Sequence, residues 1–128
     1  MKSITISVVG ITFNAELNDS LTAREILNSL PLEGSANVWG NEIYFEIPIV
    51  ISREEDAREE VEIGELGYWP IGHAFCIFFG ATPASTDERP RAASPVNVFG
   101  RVSGDATQLR SVKNGSIVRV ELPETNIK

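Results

Sequence analysis

The chain of 128 residues holds one cysteine and one histidine, so thiolate and imidazole chemistry have one side chain each to draw on. Cys76 cannot close an internal disulfide, which fits a reducing compartment, so a cytoplasmic location is expected. His73 has no Asp or Cys at motif spacing and reads as a structural residue rather than a general base. Cys76 lies in an apolar run and reads as an inert buried thiol. Positive charge is also short: 11 Lys and Arg against 18 Asp and Glu leave a formal charge of -7. Nucleic acid and anionic membrane are excluded as partners, because both need a clustered basic surface. No glycine-rich loop carries a lysine, so no phosphate cradle is present and no cofactor is expected. The acidic stretch 53–60 lacks the fixed ligand offsets and turn glycine that hard cations require, and it reads as a solvated loop rather than a metal site. No apolar run approaches membrane-spanning length, and the first residues alternate instead of forming a signal region. A single domain over 1–128 is expected.

What is present concentrates in Gly64–Gly80. This stretch holds Tyr68, Trp69, His73, Cys76 and three of the six Phe. Its glycines and Pro70 punctuate the first half as turns. Ala74–Phe79 is continuously apolar and too short for a free-standing helix, which predicts a strand buried on both faces. Upstream, two alternating runs around Val9-Gly10 predict an antiparallel hairpin. Thr22 and Glu25 have capping-box spacing, and Ala23, Ile26, Leu27 and Leu30 form one apolar stripe, so a short helix is expected over Thr22–Leu30 with Pro31 ending it. Gly40-Asn41 separates two further β-rich runs, and Pro48 breaks the second. The stretch 80–95 reads as a long loop. Strands at Val96–Val102 and Val118–Leu122 flank a second short helix capped by Asp105 and closed by Asn114-Gly115.

Large amphipathic aromatics beside turn glycines are how small molecules and extended peptides are held, so Trp39, Tyr44, Tyr68, Trp69 and Phe78 are candidate pocket walls. Glu42 and Glu46 share strand parity with Tyr44, and with Asn97 they are candidate polar contacts. The competing reading makes the aromatics core and the two glutamates a solvated face. An acidic rim favours a cationic or neutral ligand over an anionic one.

Four segments carry a specific resemblance: Trp39-Gly-Asn-Glu-Ile-Tyr-Phe45, Gly67-Tyr-Trp-Pro70, Phe78-Phe-Gly80 and Ser94-Pro-Val-Asn97. Together they are similar to a family of small prokaryotic proteins with a cyclophilin-like fold and no assigned function. Ile11–Leu17 followed by Thr22-Ala23, and Val98-Phe-Gly-Arg-Val102, resemble the corresponding segments of cyclophilins, the peptidyl-prolyl isomerases. The resemblance implies a mainly β protein: a closed antiparallel barrel with two short α-helices. A β-grasp, whose first and last strands run parallel in an open sheet, is the competing fold. The departures bear on function. Cyclophilins place a catalytic Arg shortly before an Ile-Pro, whereas Tyr44-Phe-Glu46 precede Ile47-Pro48 here. Their His before the Val-Phe-Gly strand falls near Val96. The resemblance therefore implies a pocket at the proline-binding position without isomerase machinery. Two alternatives stay open: an isomerase with a degenerate site, or a subunit associated with an amide-hydrolysing enzyme.

Overall fold

The computed structural model describes residues 2–123. The first two strands, β1 (Lys2–Val8) and β2 (Ile11–Leu17), pair antiparallel in full register from Lys2↔Leu17 to Val8↔Ile11. Val9 and Gly10 make the two-residue turn, both at positive φ (48° and 78°). That geometry matches the right-handed twist of the flanking strands. The helix α1 covers Leu21–Ser29. Its N-cap is Ser20, whose hydroxyl accepts from the Ala23 amide. The capping box expected at Thr22 is displaced, because the Thr22 hydroxyl is committed to Glu54, far along the chain.

After α1 come β3 (Leu32–Ser35), β4 (Asn37–Val38), β5 (Glu42–Glu46), β6 (Arg58–Glu60), β7 (Glu65–Trp69) and β8 (Ala74–Phe78). β9 (Arg91–Ser103) is 13 residues long, and β10 (Ile117–Glu121) ends the sheet. Gly40-Asn41 turns the chain between β4 and β5, and β5 stops before Pro48. β9 begins inside the stretch expected to be a loop and runs through Pro95. The pairing of β9 with β6 shifts register across this region, between the Arg91 and Val96 contacts, where a residue without an amide hydrogen is tolerated. The second helix is a 3₁₀ segment, Ala106–Ser111, with Asp105 accepting from the Thr107 amide at its start.

The pairing order is β3-β10-β1-β2-β9-β7-β8-β5-β4, with β6 attached to β9, and every pairing is antiparallel. β1 lies antiparallel to β10, which excludes a β-grasp. The expected closed barrel is also corrected: the hydrogen-bonded path has two ends, β3 and β4. These are successive pieces of one extended stretch. Its first piece pairs with β10 and its second with β5, so no residue of the stretch is strand-paired with both.

β8 is buried along its whole length, as its unbroken apolar run predicts. Its alternate residues serve two separate cores. Phe75, Ile77 and the following Phe79 join the main cluster with Ile4, Ile6, Leu17, Ile26, Phe45 and Phe99. Phe75 stacks on Phe45 and meets Phe99 edge-on, at centroid separations of 5.2 and 5.1 Å. Ala74, Cys76 and Phe78 face the other way into a smaller cluster with Val61, Ala92 and Val96. The first half of β9 covers this second face. Gly67 allows the cover to lie close, since a Cβ there would stand 2.8 Å from Val96 Cγ2. No helix among the described residues is long and apolar enough to cross a membrane.

Candidate functional site

The outer face of β5 and β8 builds the site. Glu42 stands opposite Phe78 and Tyr44 opposite Cys76 across that ladder, while Trp69 of β7 stands opposite Ala74. Period-two alternation brings these side chains to one surface. Trp39 enters from the turn before β5, and Ala92, Ala93 and Val96 come from β9. Together they enclose a cavity of about 190 Å³ lined by Trp39, Glu42, Tyr44, Trp69, Ala92, Ala93 and Val96.

The aromatic walls are fixed in place. Trp69 Nε1 donates to Ser94 Oγ at 2.6 Å, and the indole meets the Tyr44 ring edge-on with centroids 6.0 Å apart. Gly72 lies directly against the indole, where an added Cβ would stand 2.4 Å from Trp69 Cε3.

Glu42 is the polar group of this wall. It is 5% exposed, and its Oε1 has no hydrogen-bond partner. Burial pushes its carboxyl up to about 7, a shift that the neighbouring Cys76 thiol partly offsets. Cys76 is fully buried, and its thiol makes a long contact (3.8 Å) to the Ala74 carbonyl. Burial, and then the charge of Glu42, push this thiol well above its usual range. A carboxyl that is buried, unpaired and titrating near neutrality is costly to keep, and such groups concentrate at functional sites.

Trp39, Glu42, Tyr44 and Trp69 are therefore brought together, and the other four candidates lie elsewhere. Phe78 is buried in the packing beneath the wall, in the cluster against which Tyr44 and Trp69 lie. Glu46 is exposed at the end of β5. Tyr68 points into the main core, where its hydroxyl donates to the Ile49 carbonyl at 2.7 Å and accepts from the Ile51 amide. Asn97 is 1% exposed and ties three segments together. It accepts from the Glu54 amide, and its amide group donates to the Ser52 carbonyl and Thr22 Oγ1. Ala92, Ala93, Ser94 and Gly72 contribute to the site without having been anticipated. A small residue in an extended segment gives no sign of which face it covers.

The acidic stretch does not gather a metal cluster, and none is formed among the described residues. Three of its charges are held in ion pairs: Arg58 binds Glu65 through two nitrogens, and Arg91 binds Glu59 and Glu60. Four larger hollows, of about 720, 580, 270 and 240 Å³, lie at Thr5/Asn14/Glu121, Glu25/Val50/Glu54, Lys2/Leu17/Arg24 and Glu16/Glu65/Arg101. None is lined by a buried side-chain polar atom without a partner, so the smaller aromatic cavity is the stronger candidate.

The sequence matches the cyclophilin-like family over residues 2–121, and the chain belongs to that family. It is similar to the solution structure of the hypothetical protein AF2241 from Archaeoglobus fulgidus. That similarity has a TM-score of 0.80 and 37% identity, covering 95% of each chain. A structure of McbB in complex with tryptophan shares the fold at a TM-score of 0.70 and 20% identity. This chain is covered there over 98% of its length but spans only 46% of McbB. No curated protein matches.

Proposed function

We propose that the chain is a single cytoplasmic binding domain that holds a small molecule, or one side chain of an extended peptide, in the Trp39–Tyr44–Trp69 cavity, without prolyl isomerisation. The observation that carries this reading is Glu42, a buried carboxyl with one oxygen lacking a partner, in the wall of an aromatic cup. A structural residue at this position gains nothing from ionisation, whereas a ligand in the cavity gives the carboxylate a partner through its other oxygen. The cavity is smaller than the roughly 300–1,000 Å³ of drug-sized sites, so it suits a small molecule or a single side chain.

Isomerisation is disfavoured by the residues that precede Ile47-Pro48. Phe45 is in the core, Tyr44 is in the cavity wall and Glu46 is exposed. None supplies the fixed cationic donor that would favour a twisted peptide bond against a barrier of roughly 18–20 kcal/mol. Arg91 is held by Glu59 and Glu60.

Two measurements test the proposal. Indole NMR signals of Trp39 and Trp69 should shift on titration with a panel of small amines, alcohols, amides and acids. A prolyl-peptide exchange assay should stay at the uncatalysed rate of tens to hundreds of seconds. A panel that leaves both indoles unmoved would overturn the binding reading, and exchange accelerated to enzymatic rates would overturn the second half.

A further inference from the structure

Resting on the reading that this cavity binds a ligand, we infer that the group it takes is an organic ammonium cation, paired with the Glu42 carboxylate and enclosed by the rings of Trp39, Tyr44 and Trp69. The argument begins with what lines the cavity. Its seven residues include one acid, no Lys, Arg or His, and three aromatic rings. Ring faces carry negative potential, so both the rings and the carboxylate attract a cation and repel an anion.

The shape of the acid narrows the choice further. Glu42 Oε1 is sealed from solvent, so a planar guanidinium fork cannot reach both carboxylate oxygens. A compact ammonium needs only one oxygen and fits where a fork does not. The cavity's small size admits an amine of a few carbons or the end of a lysine side chain.

The charged and titratable neighbours offer the carboxylate no counter-charge, only the weak hydrogen bond of a thiol. From β8 the neighbour is the Cys76 thiol, held neutral by burial. β5 contributes the Tyr44 phenol and β7 the Trp69 indole, which is already donating to Ser94. Of the two cations of β9, Arg91 is bound to Glu59 and Glu60, and Arg101 lies beside Glu65. A bound ammonium therefore supplies the missing counter-charge. Because burial holds the Glu42 carboxyl at about 7, binding below that pH also expels its proton.

The test compares butylammonium, 1-butanol and butyrate at pH 8 and pH 6 on the native chain, by calorimetry and by the indole signals. Butylammonium should bind at least about tenfold more tightly than 1-butanol at pH 8, and butyrate should bind more weakly than either. Ammonium affinity should fall about tenfold between pH 8 and pH 6, as expected for one carboxyl titrating near 7. At pH 6, comparison of buffers with different ionisation heats should show close to one proton released per ligand. Glu42→Gln should erase the preference for butylammonium over 1-butanol and the proton release at pH 6. A lysine capped at both ends separates the sources: affinity at or above that of butylammonium indicates a peptide side chain, and weaker affinity indicates a free amine. Equal binding of butanol and butylammonium, or no proton release, would overturn the ammonium assignment and leave the cavity reading standing. Silence of both indoles toward every probe would overturn both.

Discussion

Glu42 and Cys76 sit diagonally across the β5–β8 ladder, Glu42 opposite Phe78 and Cys76 opposite Tyr44, so that a carboxyl and a thiol share one dry face of the sheet. The charge of Glu42 raises the cost of ionising Cys76, while the thiol slightly eases the ionisation of a carboxyl that burial disfavours, and the first two predictions come from that pairing.

Stability should fall as pH rises through the Glu42 titration. Below about pH 4.5 the carboxyl is protonated in both folded and unfolded chains. Between 4.5 and about 7 the unfolded chain loses its proton first, so the folded state is penalised progressively. The shift corresponds to a total of about 3 kcal/mol, levelling off above pH 7. Urea denaturation of the native chain and of Glu42→Gln at pH 5 and pH 8 isolates this contribution. The variant should be the more stable of the two at pH 8, with the difference shrinking at pH 5. A difference that does not change with pH would contradict the buried ionisation.

The Cys76 thiol should not react in the folded protein. Burial and the neighbouring Glu42 both disfavour the thiolate, which is the reactive form. A thiol reagent should label the chain only when denaturant opens it. Prompt labelling in buffer would show that the second face of β8 is accessible.

Gly72→Ala should damage the site more than the fold. The new methyl would displace the Trp69 indole and with it the bond to Ser94 and the contact with Tyr44. Because the indole is only partly buried, the stability loss should be about 1–2 kcal/mol. Near-ultraviolet circular dichroism should change sharply, and binding in the cavity should be lost. Unchanged indole signals would refute the contact.

Asn97→Ala should do the reverse. It removes three hydrogen bonds that join the loop at Ser52–Glu54 to α1 and β9. Leaving those groups unpaired should cost about 2–3 kcal/mol. Amide exchange at Glu54 should accelerate, while the cavity keeps its affinity for whichever probe it binds. Loss of binding in a folded Asn97→Ala would tie this residue to the site after all.

Locally determined features were legible in the sequence. The Val9-Gly10 and Gly40-Asn41 turns, the stripe on α1 and the doubly buried β8 each depend on neighbours within a few residues. What escaped depended on distant partners. Thr22 looked like a cap, but its hydroxyl meets a carboxylate 32 positions later. Tyr68 and Trp69 are adjacent in sequence, yet strand alternation sends the first into the main core and the second into the cavity wall. Asn97 reads as a ligand contact because a polar residue in an apolar run invites that reading, and only the fold shows Ser52 and Glu54 closing around it. The barrel expectation failed for a related reason. Whether two sheet edges join depends on how one stretch divides its pairing between them, and composition carries no trace of that.

The two-sided burial of β8 has a consequence for how such a protein can change over time. Residues that shape the cavity from β9, Ala92 and Val96, belong to the small cluster and not to the packing that holds β1, β2 and α1 together. If the proposed binding holds, a few side chains on β9 can be resized to suit another ligand while the main sheet persists unaltered. Divergent specificity on a common scaffold is the pattern this division of labour permits.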